Sequence, residues 1–191
     1  MKYQLLTDKE FNDALLINQE YLSASKEDFT KWFKKYPDLF VGAFDDEKLV
    51  GICYGHEWTQ EEYVILEGIA TLYDYWRKGV GSELLKTFES QVEKQGKQYI
   101  TVGCAPDEKT EQFYLKNLYQ PITLLAKIKK DNLSANYKDQ TKLFEFVEEK
   151  NDGDVIKIYF KAEQYNPLDR QNLQEILQAD EVIYIMNKRL Q

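Results

Sequence analysis

Two glycines two apart, Gly79 and Gly81, follow two bases, Arg77 and Lys78, in the stretch DYWRKGVGSELLK (residues 74–86). Small residues at a helix start let a phosphate come close to backbone amides, and the helix end adds about half a positive charge. Ser82 offers a hydroxyl at the same end, and the two bases offer charge-assisted contacts. Two other phosphate motifs do not fit. The dinucleotide fingerprint asks for a third glycine where Leu84 stands, and a P-loop asks for a lysine where Ser82 follows Gly81. On these residues alone, a glycine-rich helix start with two solvated bases remains the other reading.

A second candidate stands just before this loop. YVILEGIATL (63–72) is nearly all apolar and reads as a strand covered on both faces, yet it carries one acid, Glu67. A covered carboxylate needs a partner or holds its proton more tightly, which suits a proton acceptor. Period-2 counting puts Glu67 on the face of Ile69 and Thr71. A carboxylate at the sheet edge, or one paired to Arg or Lys, is the alternative. His56, the only histidine, follows a strand in GHEW. With no second ligand at metal spacing it is expected at the surface or in a cap, and no metal site is expected.

The remaining chain must position these groups. KYQLL (2–6) reads as a strand, followed by a helix opened by Thr7 or Asp8 and carrying Phe11, Leu15, Leu16 and Ile17. Ser25 and Asp28 form a capping-box pattern before Phe29, Trp32 and Phe33, and Pro37 stops that helix. LFVGAF (39–44) and KLVGICYG (48–55) are strands joined by a hairpin turn. Leu84, Leu85, Phe88 and Val92 make one face of the helix after the glycines. QYITVGC (98–104) is a strand, Asp107 opens another helix, and ITLLAKIK (122–129) is a strand. KKDNLSANYKDQ (129–140) reads as a linker. Beyond it, DVIKIYF (154–160) and EVIYIM (181–186) are strands around a helix opened by Asn166 and Pro167. KLFEFVEE reads as a hairpin partner or a short helix, with the Asp152–Gly153 turn favouring the hairpin.

The 191 residues are 43% hydrophobic and 30% charged, which is globular rather than disordered. The net charge of −8 argues against a nucleic-acid surface and suits a cationic substrate such as an amine. No apolar run is long enough for a membrane span, and the N-terminus shows no secretory h-region. Cys53 and Cys104 are far apart, so reduced thiols in the cytoplasm are expected.

The element order resembles the GNAT fold of the Gcn5-related N-acetyltransferases. Their signature [QR]-x-x-G-x-[GA] reads here as W-R-K-G-V-G, Trp76 to Gly81, and their F-Y-x-x-x-G-F reads as F-Y-L-K-N-L-Y, Phe113 to Tyr119. Trp76 stands where Gln or Arg is usual, and Leu118 replaces a glycine, so a different turn is expected there. The resemblance implies an α/β (α+β) fold, with a mixed, mostly antiparallel sheet flanked by helices over residues 1–130. Residues 131–191 would be a small C-terminal α/β extension, packed on the core and shaping the acceptor cleft or a homodimer contact. It also implies acetyl-CoA as co-substrate and a primary amine as acceptor, with transfer direct. The pyrophosphate would lie on the amides of Arg77, Lys78, Gly79, Val80, Gly81 and Ser82. The pantetheine arm would pair with Ile69, Ala70 and Thr71 and touch Asp107. Tyr114 matches the family tyrosine that faces the sulfur and is the expected acid; Glu67 is the expected base, from its own setting. A non-catalytic acyl-CoA-binding or protein-interaction module of the same fold is the alternative.

Overall fold

The computed structural model describes residues 1–191. Its strands follow the order β1-β2-β3-β4-β5-β9-β6-β8-β7 in one nine-stranded, mostly antiparallel sheet flanked by helices. The chain divides into two compact units, residues 1–101 with 189–191, and residues 102–188.

In the first unit, β1 (Lys2–Leu5), β2 (Phe40–Asp45), β3 (Lys48–Glu57) and β4 (Tyr63–Thr71) pair as successive antiparallel neighbours. The β2–β3 hairpin turns at Asp46, whose φ is +52°. The chain between β1 and β2 forms α1 (Phe11–Tyr21) and α2 (Lys26–Lys35). Ser25 caps α2 as its pattern predicts: its Oγ accepts from the Asp28 amide at 3.0 Å and donates to Asp28 Oδ2 at 2.7 Å. α1 buries Ala14, Leu15 and Ile17, while Leu16 points outward. After β4 comes α3 (Val80–Lys94), whose Leu84, Leu85, Phe88 and Val92 are fully buried.

The central strand β3 is buried on both faces, and its alternation shows by what. Ile52 and Tyr54 join the cluster of Phe29, Phe33 and Phe40 under α1 and α2, with the Phe29 and Tyr54 rings edge-on at 4.9 Å. Gly51 and Gly55 face α3: a Cβ at Gly51 would meet Leu84 at 3.0 Å, and one at Gly55 would meet Phe88 at 2.9 Å. The Cβ at Gly55 would also strike the Ile65 carbonyl oxygen at 2.2 Å, so β4 crosses there at a distance only glycine allows. At this point the β3–β4 register slips: Tyr54 pairs with Gly68 and Gly55 with Leu66. Glu67 is the extra residue of a β-bulge.

β5 spans Tyr99–Gly103. In the second unit, β6 (Gln120–Lys129) is flanked by β8 (Val155–Lys161) and β9 (Glu181–Arg189), Leu124 pairing with Phe160 on one side and Tyr184 on the other. β7 (Phe146–Asp152) pairs with β8 through the Asp152–Gly153 turn, so the hairpin reading holds. The tail thus extends the sheet around β6. The helices here are α4 (Glu108–Lys116), α5 (Tyr137–Gln140) and α6 (Pro167–Leu177). The expected linker is folded: it contains α5, and its Tyr137 is buried and bonded to Glu149 on β7. α6 starts at Asn166, whose side chain accepts from the Leu168 amide at 3.1 Å; it buries Leu173 and Leu177 but leaves Leu168 exposed.

Candidate active site

The loop from β4 to α3 is bent by two left-handed residues, Arg77 (φ +58°) and Gly79 (φ +82°). For arginine this conformation costs about 1–2 kcal/mol; glycine adopts it freely. Gly79 is the N-cap of α3 and has no side chain with which to cap it. The first intrahelical bond runs from the Glu83 amide to the Gly79 carbonyl at 3.2 Å. The amides of Val80, Gly81 and Ser82 therefore have no acceptor within the helix. α2, α4 and α6, by contrast, are capped by Ser25, Asp107 and Asn166. Gly81 has no left-handed backbone that would call for glycine. Inside a helix it costs about 0.5–1 kcal/mol against alanine, and it leaves a bare Cα at the helix start. Arg77 and Lys78 are exposed beside these amides. Three uncapped amides, a bare Cα and two cations fit a pyrophosphate.

Trp76 has a defined task in this loop. Its indole N–H donates to the Thr71 carbonyl at 2.8 Å and its ring lies 5.0 Å from that of Tyr73. It ties the loop to the end of β4, where Ile69, Ala70 and Thr71 are half-buried. Tyr75, also in the loop, donates to Asp45 Oδ2 at 2.7 Å, and Lys78 lies 5.6 Å from the Tyr75 ring centre.

Glu67 differs from expectation. It is exposed rather than covered, so burial is not what would make it a base. The bulge also interrupts the period-2 count that placed it with Ile69 and Thr71. Its partner is His56: Nε2 lies 2.9 Å from Glu67 Oε1, and Nδ1 lies 2.8 Å from the Glu57 carbonyl oxygen. The imidazole stacks on Trp32 of α2 at 4.9 Å. Burial lowers the His56 pKa, but the bonds to Glu67 and Glu57 outweigh it and hold it above the ordinary histidine value. Sequence reasoning missed this pairing. Only the slipped β3–β4 register brings the two side chains together, although one histidine and one strand acid lying on neighbouring strands was a signal.

In the second unit, α4 carries Tyr114, which is buried with its ring edge-on to Phe113 at 5.2 Å and Tyr119 at 5.4 Å. Leu118 ends this helix with φ +68°. The Leu118 amide bonds to the Leu115 carbonyl and the Tyr119 amide to the Tyr114 carbonyl, both at 3.0 Å. This is the pairing of a Schellman ending, in which glycine is the usual left-handed residue. The expectation of a different turn is corrected: leucine adopts the glycine conformation. Asp107 serves as the α4 cap, accepting from the Thr110 amide at 3.0 Å. Burial raises its pKa, and the bonds to Thr110 and Lys109 with the Lys109 charge more than offset this, leaving it below the ordinary aspartate value. No group of three or more His, Cys, Asp and Glu side chains could hold a metal. No helix is long and apolar enough to cross a membrane.

A model of the acetyltransferase (GNAT) family matches residues 4–118, more than half of the chain. The chain belongs to the GNAT acetyltransferase family. Comparison with curated protein sequences gives no significant match. Solved structures share the GNAT fold at low identity. An acetyltransferase of the GNAT family from Streptococcus pneumoniae is 13% identical, with 100% of this chain and 99% of that one covered, at TM-score 0.57. Ard1 from Thermoplasma volcanium is 14% identical over 86% of this chain and 98% of its own, at 0.59. Arabidopsis thaliana Naa50, in complex with the bisubstrate analogue CoA-Ac-MVNAL, is 16% identical over 84% and 97%, at 0.55. The mixed sheet and the flanking helices are thus those of a GNAT protein.

Proposed function

We propose that this GNAT protein transfers an acetyl group from acetyl-CoA to a primary amine of a small molecule or peptide. The observation that carries the reading is the uncapped start of α3, held open by left-handed Gly79, in a chain of this family. The Naa50 complex, which joins CoA to a peptide in one ligand, supports it by analogy. In this reading the amides of Gly79, Val80, Gly81 and Ser82, with Arg77 and Lys78, hold the pyrophosphate. The backbone of Ile69, Ala70 and Thr71 pairs with the pantetheine arm. The Trp76 indole takes one lone pair of the Thr71 carbonyl and leaves the other. Asp107 fixes the start of α4 and contacts the arm only with what its capping role leaves over.

Bound acetyl-CoA supplies a thioester carbonyl that a neutral amine attacks. The chain must then accept a proton from the amine and donate one to the departing thiolate. Glu67 is the proton acceptor, and the Tyr114 hydroxyl is the donor. Thioester attack is intrinsically easy, so orientation in the cleft supplies most of the rate. The two cysteines are free and buried, which accords with work in the cytoplasm.

Calorimetric titration with acetyl-CoA and with CoA tests the binding half of the reading. The wild type should bind both, and Gly81→Glu, which sets a carboxylate among the three amides, should bind neither while keeping its circular dichroism spectrum. Equal affinity in the folded variant would remove the cradle.

A further inference from the structure

The surroundings of His56 make it more than a neighbour of Glu67. The Glu57 carbonyl can only accept, so Nδ1 must carry a hydrogen at 2.8 Å. Nε2 faces Glu67 Oε1 at 2.9 Å. The ring is stacked at 24° to Trp32 and lies 6.2 Å from Tyr36, so its plane and both nitrogens are fixed. This leaves two states. In one, neutral imidazole turns a lone pair toward a carboxylate. In the other, a proton sits between Nε2 and Oε1 in a charge-assisted bond. The first state is a vacancy for one proton.

We infer that the base of the transfer is the His56–Glu67 pair, with the acceptor's proton resting on Nε2 of His56. The inference rests on the transfer reading above. The acceptor arrives as an ammonium ion. One N–H bond breaks, its electron pair stays on nitrogen, and the proton joins the pair through Glu67. The neutral amine then attacks the thioester carbon, and the C–S bond breaks with its electron pair on sulfur. The nitrogen's second proton reaches the thiolate by way of the Tyr114 hydroxyl, and the pair empties its own proton to solvent. Glu67 touches the acceptor; His56 acts through it and is a positioning residue. The bulge that lifts Glu67 out of register is what aims it at His56.

Other groups set the balance of the pair. Lys35 on α2 opposes a charge on His56. The Glu57 carboxylate is taken by Lys97 at 2.9 Å, and the Tyr54 hydroxyl is bonded to Asn18 at 2.6 Å. Tyr36 and Trp32 are the remaining neighbours on α2. Burial lowers the affinity of His56 for a proton, and the bonds to Glu67 and Glu57 raise it further than burial lowers it. A lone glutamate is deprotonated above about pH 4.3 and is a weak acceptor at neutral pH. The pair empties only as pH rises through the elevated histidine value. Its driving force therefore matches neutral conditions.

His56 is the only histidine, so one C2–H signal reports it in the proton NMR spectrum of the untagged protein. It should titrate above about 6.5, and in Glu67→Gln it should fall to 6.5 or below, since burial then acts without the carboxylate. The pH profile of kcat with a competent amine should rise through the same wild-type value. His56→Gln should lose that limb and about 10- to 100-fold in kcat, with the KM for acetyl-CoA unchanged. An unchanged titration in Glu67→Gln, or an unchanged limb in His56→Gln, overturns the inference. If His56→Gln does not fold, the Glu67→Gln titration and its kcat profile decide alone. If the wild type acetylates no amine, the transfer reading fails and the base with it. A Glu67-dependent titration would then show a structural ion pair only.

Discussion

Arg170→Leu should destabilise the protein by about 3–5 kcal/mol, the cost of breaking a buried ion pair from one side. Glu111 on α4 is completely buried. Its Oε1 receives the Arg170 Nε–H at 2.7 Å, and its Oε2 receives the Tyr165 hydroxyl at 2.7 Å. Leucine removes the only counter-charge bonded to Glu111 and leaves a carboxylate held by one phenol. The lost charge-assisted bond accounts for about 1.5–3 kcal/mol, and the uncompensated burial for the rest. Such a loss is a large part of the 5–15 kcal/mol typical of a domain. The companion variant Glu111→Leu/Arg170→Leu removes both charges and should be more stable than Arg170→Leu alone, because apolar replacement of a whole buried pair is often near neutral. Urea unfolding of the three proteins, with equal m-values, measures this. A single variant costing under about 1 kcal/mol, or a double variant no better than the single, would refute the reasoning.

Leu118→Gly should raise stability by up to about 1.6 kcal/mol. It relieves roughly 1–2 kcal/mol of left-handed strain and gives back about 0.4–1 kcal/mol in unfolded-chain entropy. Leu118 is 70% exposed, so little packing is lost, and a fall in melting temperature would show the turn is not strained. Neither native thiol should react with a disulfide reagent at pH 8: burial pushes Cys53 well up, and burial with Glu111 and Asp107 pushes Cys104 to about 12. Fast labelling of the folded protein would contradict this. Tyr114→Phe should lower kcat about 10- to 100-fold with CoA affinity unchanged, and equal rates would return Tyr114 to packing.

The strands, the α3 face and the Ser25 cap were legible because each rests on local pattern. Leu84, Leu85, Phe88 and Val92 recur at helical spacing, and all four are buried. The glycine loop was legible because Gly79 needs its left-handed φ. What escaped depends on partners distant in sequence. Glu111 and Arg170 lie 59 residues apart, and no local pattern links them. The place of β9 in the sheet follows from pairing with β6, which periodicity does not encode. Glu67 read as covered because its strand neighbours are apolar, but a bulge sets it apart and His56 meets it from the next strand. Leu118 hid a left-handed turn because leucine seldom adopts one. The polar run 129–140 read as a linker because its one buried anchor, Tyr137, stands alone.

The central claim is acetyl transfer to an amine, and turnover tests it most directly. The wild-type protein is mixed with acetyl-CoA and a panel of amino acids, polyamines, aminoglycosides and peptides with free N-termini. Free thiol and acetylated amine are measured together. At least one amine should raise thiol release well above hydrolysis, with thiol and acetamide formed in equal amounts. Bound acetyl-CoA with thiol release at the hydrolysis rate for every amine would contradict it and leave a CoA-binding module.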